Sequence, residues 1–186
     1  MTRDPRAEHQ RLVELLLEHS VQRGHFELSS GGTTDLYLDV RQTTLNAEGA
    51  AIVGRLILDR LRDDVVAVGG PTLGADPVAC SAAAQSIAVA GRAIHGFLIR
   101  KEAKGHGTKR FIEGMSSIPA GSRVCVVEDT TTTGGSMLQA IERVVEAGYE
   151  VVQTICVVDR AEGARERFAE AGYSLDAIIE RSELGT

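Results

Sequence analysis

Residues 124–136 read VCVVEDTTTTGGS, and this stretch decides the architecture. Val124, Cys125, Val126 and Val127 form an unbroken apolar run, as a strand buried on both faces requires. Two acids, Glu128 and Asp129, close the run. Thr130, Thr131, Thr132 and Thr133 follow, then Gly134, Gly135 and Ser136. A helical pattern begins at once, with Met137, Ile141, Val144 and Val145 on one face and Gly148 as its stop. The polar half suits an anion: hydroxyls from the threonines, backbone N–H groups turned towards one point by the glycines, and the positive end of the next helix. The two acids repel a phosphate but suit ribose hydroxyls or a hydrated metal ion. A phosphate, a sugar and a divalent cation are implied together.

The stretch is neither of the common nucleotide loops. No lysine lies between Glu128 and Ser136, as GxxxxGK[ST] would need, and GxGxxG is absent. The plain alternative is a capped strand-to-helix turn with no ligand, but such a turn has no use for a double acid and four threonines.

Outward from this centre, strands and helices alternate. Residues 6–20 pattern as an amphipathic helix carrying Leu12, Leu15 and Leu16, ended by Gly24; residues 26–32 read as irregular and 35–41 as a short alternating strand. Asn46 is placed to cap a helix running to about Leu61, within which Gly49 and Gly54 read as packing sites. A short strand at 65–68, closed by Gly69, Gly70 and Pro71, precedes a small-residue helix at 76–90 and a strand at 93–99. Beyond residues 124–136, a strand at 151–158, a helix at 161–171 and a last strand at 177–179 are expected. Apolar strands alternating with helices imply a parallel sheet covered on both faces, with ligands beyond the carboxyl ends of its strands. Residues 69–74, 100 onward, 128 onward and 159–160 each follow a strand, which predicts one pocket built from four loops.

The chain of 186 residues reads as one domain with an ordinary hydrophobic content of 43%. A net charge of −6 argues against general nucleic-acid or membrane binding. Cys80, Cys125 and Cys156 are widely spaced with no CxxC, so zinc has no support and free thiols are expected. The polar start MTRDPRAEHQ and the lack of any long apolar run point to a cytoplasmic, reduced setting. His9, His19, His25 and His95 show no metal spacing.

Residues 101–122 break the pattern. The segment RKEAKGHG, residues 100–107, gathers Arg100, Lys101 and Lys104 within five positions, with His106 just beyond and two glycines as hinges. Such a loop could fold over a diphosphate, neutralise it and exclude water. The plain alternative is a solvated basic loop.

The stretch VCVVEDTTTTGGS resembles the phosphoribosyl diphosphate (PRPP) signature of the type I phosphoribosyltransferases. RKEAKGHG, followed by FIEG at 111–114, resembles the mobile catalytic loop of the orotate phosphoribosyltransferases within that family. FELSSG at 26–31, with Tyr37, Asp39 and Arg41, is similar to their amino-terminal hood; GPTLGADP at 70–77 is similar to their diphosphate-side loop, and Asp159-Arg160 to their orotate-contacting pair. The resemblance runs from about Phe26 to the carboxyl end.

What the resemblance implies is specific. The fold would be the α/β type I phosphoribosyltransferase fold, a mainly parallel sheet flanked by helices, with a hood over about 1–45 and a mobile loop over about 101–115. The reaction would join orotate to the 5-phosphoribosyl group of PRPP, giving orotidine 5′-monophosphate and diphosphate in UMP biosynthesis. Arg100, Lys101, Lys104 and His106 would contact the diphosphate, with Lys104 foremost in catalysis. Glu128, Asp129, Thr130, Thr131, Thr132, Thr133, Gly134, Gly135 and Ser136 would hold the ribose and 5′-phosphate, while Thr132 and Arg160 would contact orotate. Mg²⁺ would bind mainly through PRPP, with no direct protein ligand and with Glu128 and Asp129 nearby. A homodimer with shared active sites is implied. The chain departs from some family members at Ser29 and at Leu73-Gly74, where those carry lysines or an aromatic residue. The rival readings are a phosphoribosyltransferase for another nucleobase and a PRPP-sensing regulator.

Overall fold

The computed structural model describes residues 3–27, 33–102 and 111–185. Its elements are α1 (Pro5–Leu15), a π-helical turn (Leu16–Ser20), β1 (Val21–Glu27), β2 (Thr33–Leu38), α2 (Arg41–Thr44), α3 (Ala47–Arg60), β3 (Ala67–Pro71) and α4 (Ala75–Ala90). They continue with β4 (His95–Ile99), β5 (Ile112–Glu113), a 3₁₀ turn (Met115–Ser117), β6 (Arg123–Thr131), α5 (Gly135–Glu146), β7 (Glu150–Asp159), α6 (Ala164–Glu170), β8 (Asp176–Glu180) and a closing 3₁₀ turn (Arg181–Leu184). Helix starts obey their sequence signals. Asp4 caps α1 through the Arg6 N–H with Pro5 at the first helical position, and Asn46 accepts from the N–H groups of Glu48 and Gly49 to start α3.

Six strands form one sheet in the order β5-β4-β3-β6-β7-β8, parallel throughout except for the antiparallel edge strand β5. Period-two alternation splits β6 between two cores. Cys125 and Val127 face α1, α3 and α4, where Leu12, Leu16, Ile57 and Val78 are fully buried; Val124 and Val126 face α5 and α6, with Met137, Ile141 and Phe168. Burying each of the large side chains contributes about 1.5–3 kcal/mol. The two glycines in α3 are packing sites: a Cβ at Gly49 would lie 2.2 Å from the Thr43 carbonyl oxygen, and one at Gly54 would lie 2.5 Å from Ser81 Oγ on α4.

Several expected boundaries are corrected. Gly24 lies inside β1 rather than ending a helix, because this strand pairs antiparallel with β2 and the register shifts between Arg23 and Phe26, the kind of irregularity a glycine tolerates. Arg41 opens the short α2 instead of closing a strand. Gly69, Gly70 and Pro71 continue β3 instead of closing it, since the bare glycine backbones allow close approach: a Cβ at Gly70 would sit 1.8 Å from the Val127 carbonyl oxygen on β6. Residues 112–113 pair with β4 within the stretch expected to lack structure. The last helix starts at Ala164 rather than Ala161, and Ala161 itself takes φ 55.

Candidate active site

The sheet order places a switch point between β3 and β6. From β3 the chain builds outward to β4 on one side, and from β6 to β7 and β8 on the other. In such sheets a crevice opens beyond the carboxyl ends at the switch. A cleft of about 260 Å³ lies there, lined by Leu38, Asp39, Val40 and Arg41, by residues 71–74, by Lys101, and by Glu128, Asp129, Thr130 and Ser136. The seam is close: a Cβ at Gly74 would meet the Asp129 carboxylate at 2.2 Å. A lysine at this position, as in some resembling proteins, would require Asp129 to move.

Strand β6 runs through the acid pair to Thr131, so the carboxylates project from rigid backbone; Glu128 is in register with Cys156, and Thr130 with Val158, on β7. The Ser136 hydroxyl donates to Glu128 Oε2 at 2.9 Å, and the Thr130 N–H donates to Asp129 Oδ1 at 2.8 Å. Gly134, at φ 77, turns the chain into α5, a conformation that favours glycine; a Cβ there would also meet Phe168 at 2.7 Å. No side chain caps α5 and its first turn holds no acid, so nothing in the helix itself offsets its positive end. Across the cleft Asp39 accepts from Arg41 Nε at 2.8 Å, and that guanidinium holds the Asp39 carboxyl below its ordinary range.

The acid pair behaves differently. Burial pushes Glu128 up to about 8, with the neighbouring Asp129 adding to it and Ser136 and Lys101 opposing. Burial also raises Asp129, against the Thr130 N–H and Arg41. Two carboxyls held side by side with so little protein charge against them form a site for hydroxyls or a cation.

A pH dependence follows. Glu128 is 8% exposed, and its carboxyl keeps its proton in the folded chain to about pH 8, against an ordinary 4.5. The folded state therefore binds the extra proton between those values, and the chain loses stability as pH rises through that window. A rise from 4.5 to about 8 sets an upper bound of about 4–5 kcal/mol on that loss. Glu128→Gln removes the titration. In ligand-free thermal melts its Tm is expected to match wild type near pH 5 and to exceed it by about 4–8 °C at pH 9. Parallel curves for the two proteins would refute the buried, protonated state.

Of the four loops expected to meet, three line the cleft. Residues 38–41, whose Asp39 and Arg41 were matched to the hood segment and not to the site, form the fourth wall. Their alternating pattern reads as the end of a strand over 35–41, whereas β2 ends at Leu38 and α2 begins at Arg41, which bends Asp39 and Arg41 onto the cleft wall. Thr131 is 2% exposed, so its hydroxyl is turned into the protein; Thr132 is half-buried, while Thr133 and Ser136 are exposed. Arg160 does not line the cleft. Its guanidinium pairs with Glu162 at 2.9 Å, while its N–H donates to the Thr131 carbonyl at 2.9 Å and so ties the end of β7 to the turn. Arg100 pairs with Glu113 at 3.1 Å. Lys104, His106 and Ser29 lie outside the described residues. Cys125 and Cys156 are buried and Cys80 exposed, all three free; burial pushes the Cys156 thiol up to about 12. No described helix is long and apolar enough to cross a membrane.

Comparison with known proteins agrees with this geometry. The phosphoribosyl transferase domain model matches residues 41–176. The orotate phosphoribosyltransferase of Streptomyces avermitilis is 47% identical over 94% of this chain and 95% of its own length, and that of Synechocystis is 46% identical over 91% and 85%. The crystal structure of the Mycobacterium tuberculosis orotate phosphoribosyltransferase in complex with PRPP superposes with a TM-score of 0.80 at 40% identity, over 96% of this chain and 99% of that one. An acid pair at a parallel-sheet switch point, a Thr/Gly turn into an uncapped helix and relatives of this closeness converge, and the chain belongs to the phosphoribosyltransferase family, among its orotate phosphoribosyltransferases.

Proposed function

We propose that this cleft transfers the 5-phosphoribosyl group of PRPP to orotate, and that its 186 residues act as one phosphoribosyltransferase domain under a hood at about 1–45. The observation that carries the reading is the acid pair in the cleft, Glu128 buried and Asp129 half-buried, running straight into the turn that starts α5. In this reading the α5 end, the Thr130, Thr132 and Thr133 hydroxyls, Ser136 and the backbone of residues 131–135 receive the 5′-phosphate. Glu128 and Asp129 accept hydrogen bonds from the ribose hydroxyls, which fixes C1 against the base. Arg100, Lys101, Lys104 and His106 face the diphosphate. A ring nitrogen of orotate, its proton given up to solvent, attacks C1 while the C1–O bond breaks and its electron pair leaves with diphosphate. The carbon passes through an oxocarbenium-like state, and the loop cations stabilise the growing leaving-group charge more than the ground state. Loop closure excludes the water that would otherwise hydrolyse PRPP. Thr132 and Arg160 receive orotate, the guanidinium pairing with its carboxylate in place of Glu162.

The donor set suits Mg²⁺ held mainly by PRPP. Among the described residues no three His, Cys, Asp or Glu side chains gather to hold a metal, whereas Glu128 and Asp129 supply hard oxygens beside the ribose position. When bound, the cation would offset diphosphate charge. The protein is read as a cytoplasmic homodimer in which the loop serves the neighbouring site, and the three free thiols suit that compartment.

The test is an assay with PRPP and Mg²⁺, following loss of orotate absorbance, with uracil, adenine and hypoxanthine in parallel. Turnover with orotate and none of comparable size with the others is expected. Turnover with another base but not orotate would overturn the substrate assignment, and binding of PRPP without any turnover would favour a sensor.

A further inference from the structure

Outside the cleft, helix α6 meets the Thr/Gly turn from behind with Ala164, Arg167 and Phe168. A Cβ on Gly134 would lie 2.7 Å from the Phe168 ring and 3.5 Å from Ala164 Cβ, and one on Gly135 would lie 3.6 Å from Arg167 Nη1. The same Nη1 donates to the Thr133 carbonyl oxygen at 3.2 Å. The spacing i, i+3, i+4 puts the three side chains on one face of α6. Ala164 and Phe168 are buried and fix where that face stands, while Arg167 is exposed at its edge.

The neighbouring arginines are committed elsewhere. Arg160 pairs with Glu162 at 2.9 Å, and Arg165 pairs with Asp159 at 2.9 Å and with Glu180. Among the described residues no carboxylate pairs with Arg167, and what it holds is a neutral carbonyl. Two consequences follow for the turn. A planar trans peptide points its C=O and its N–H in opposite directions, so holding the Thr133 carbonyl towards α6 aims the Gly134 N–H away from it. The unneutralised guanidinium also adds to the positive end of α5, which has no acid in its first turn and no side-chain cap.

We propose that Arg167 is a positioning residue for the 5′-phosphate: it anchors the Thr133–Gly134 peptide so that the N–H is presented to the phosphate, and it sets a positive charge behind the turn. This rests on the turn being the 5′-phosphate site. Arg167, Thr133 and α5 belong to one chain, so the device serves that chain's own cleft.

The test measures inhibition of the full reaction, at varied PRPP, by orotidine 5′-monophosphate and by orotidine, which differ only in the 5′-phosphate. The ratio of the two inhibition constants isolates what the phosphate contributes. Arg167→Ala is expected to weaken the monophosphate about 3–10-fold and to raise KM for PRPP by a similar factor, with inhibition by orotidine held within about twofold. Arg167→Lys, which keeps the charge without the planar fork, is expected to fall between. Tm should stay within about 3 °C of wild type, because the bond lost is exposed. A wild type that prefers the monophosphate, beside an Arg167→Ala variant with the same preference, would sink the role of Arg167 and leave the turn standing. Equal weakening of both inhibitors would reduce Arg167 to a structural part and sink the proposal too. A wild type that binds orotidine as tightly as its monophosphate would sink the turn as a phosphate site, and Arg167 with it.

Discussion

Replacing Lys104 by alanine is expected to lower kcat about 10²–10³-fold, the loss typical when a group aimed at developing charge is removed. The departing diphosphate gains charge as the C1–O bond breaks, and RKEAKGHG places three cations where the chain leaves β4. Lys101 lines the cleft wall together with Glu128. Lys104 is three residues further along and is read as the cation left for the leaving group. The substitution removes charge from a polar segment, so Tm should hold within a few degrees. Steady-state kinetics with both substrates saturating provides the check. Turnover close to wild type would remove Lys104 from catalysis.

The second large effect concerns the seam beneath the site. Gly70→Ala would push a Cβ to 1.8 Å from the Val127 carbonyl oxygen and 2.7 Å from Ala75 Cβ. The first obstacle is backbone, so β3 and β6 must part. Overpacking of this kind costs about 1–3 kcal/mol or more, which for a chain of this size lowers Tm by about 3–10 °C. Glu128 follows Val127 directly, so kcat/KM should fall as well. The neighbouring Gly96→Ala serves as a control: its Cβ would find nothing nearer than Ala83 Cβ at 3.5 Å, an ordinary contact. Equal Tm values for the two variants would show that the seam tolerates more than its geometry allows.

The parallel sheet and its helices were legible because β6, β7 and the faces of α3 and α5 carry strong apolar periodicity. What escaped notice lacked that signal. Strand β1 reads VQRGHFE, polar with a central glycine, and only its antiparallel partner makes it a strand. The apolar run of β6 ends at Val127, yet the strand continues through Glu128 and Asp129 because the ladder to β7 continues beneath them. Hydrogen bonding extends a strand past its apolar part. Within the site, the acid pair and the turn were legible as chemistry, since no plain turn needs them. The wall at residues 38–41 was not, because Asp39 and Arg41 form a local ion pair that looks like any surface pair until the fold sets it opposite Asp129.

The central claim is that the acid pair Glu128–Asp129 at the cleft holds the ribose of PRPP. Calorimetric titration of PRPP with Mg²⁺ into wild type and into the double variant Glu128→Gln/Asp129→Asn tests it most directly. At pH 9, above the value to which burial raises Glu128, hydrogen bonds to charged groups contribute about 1.5–3 kcal/mol each, so the variant is expected to bind at least about tenfold more weakly. Because burial raises both carboxyls in the free chain, the variant's ligand-free Tm should equal or exceed that of wild type at pH 8. Equal affinity for PRPP in the two proteins would contradict the account.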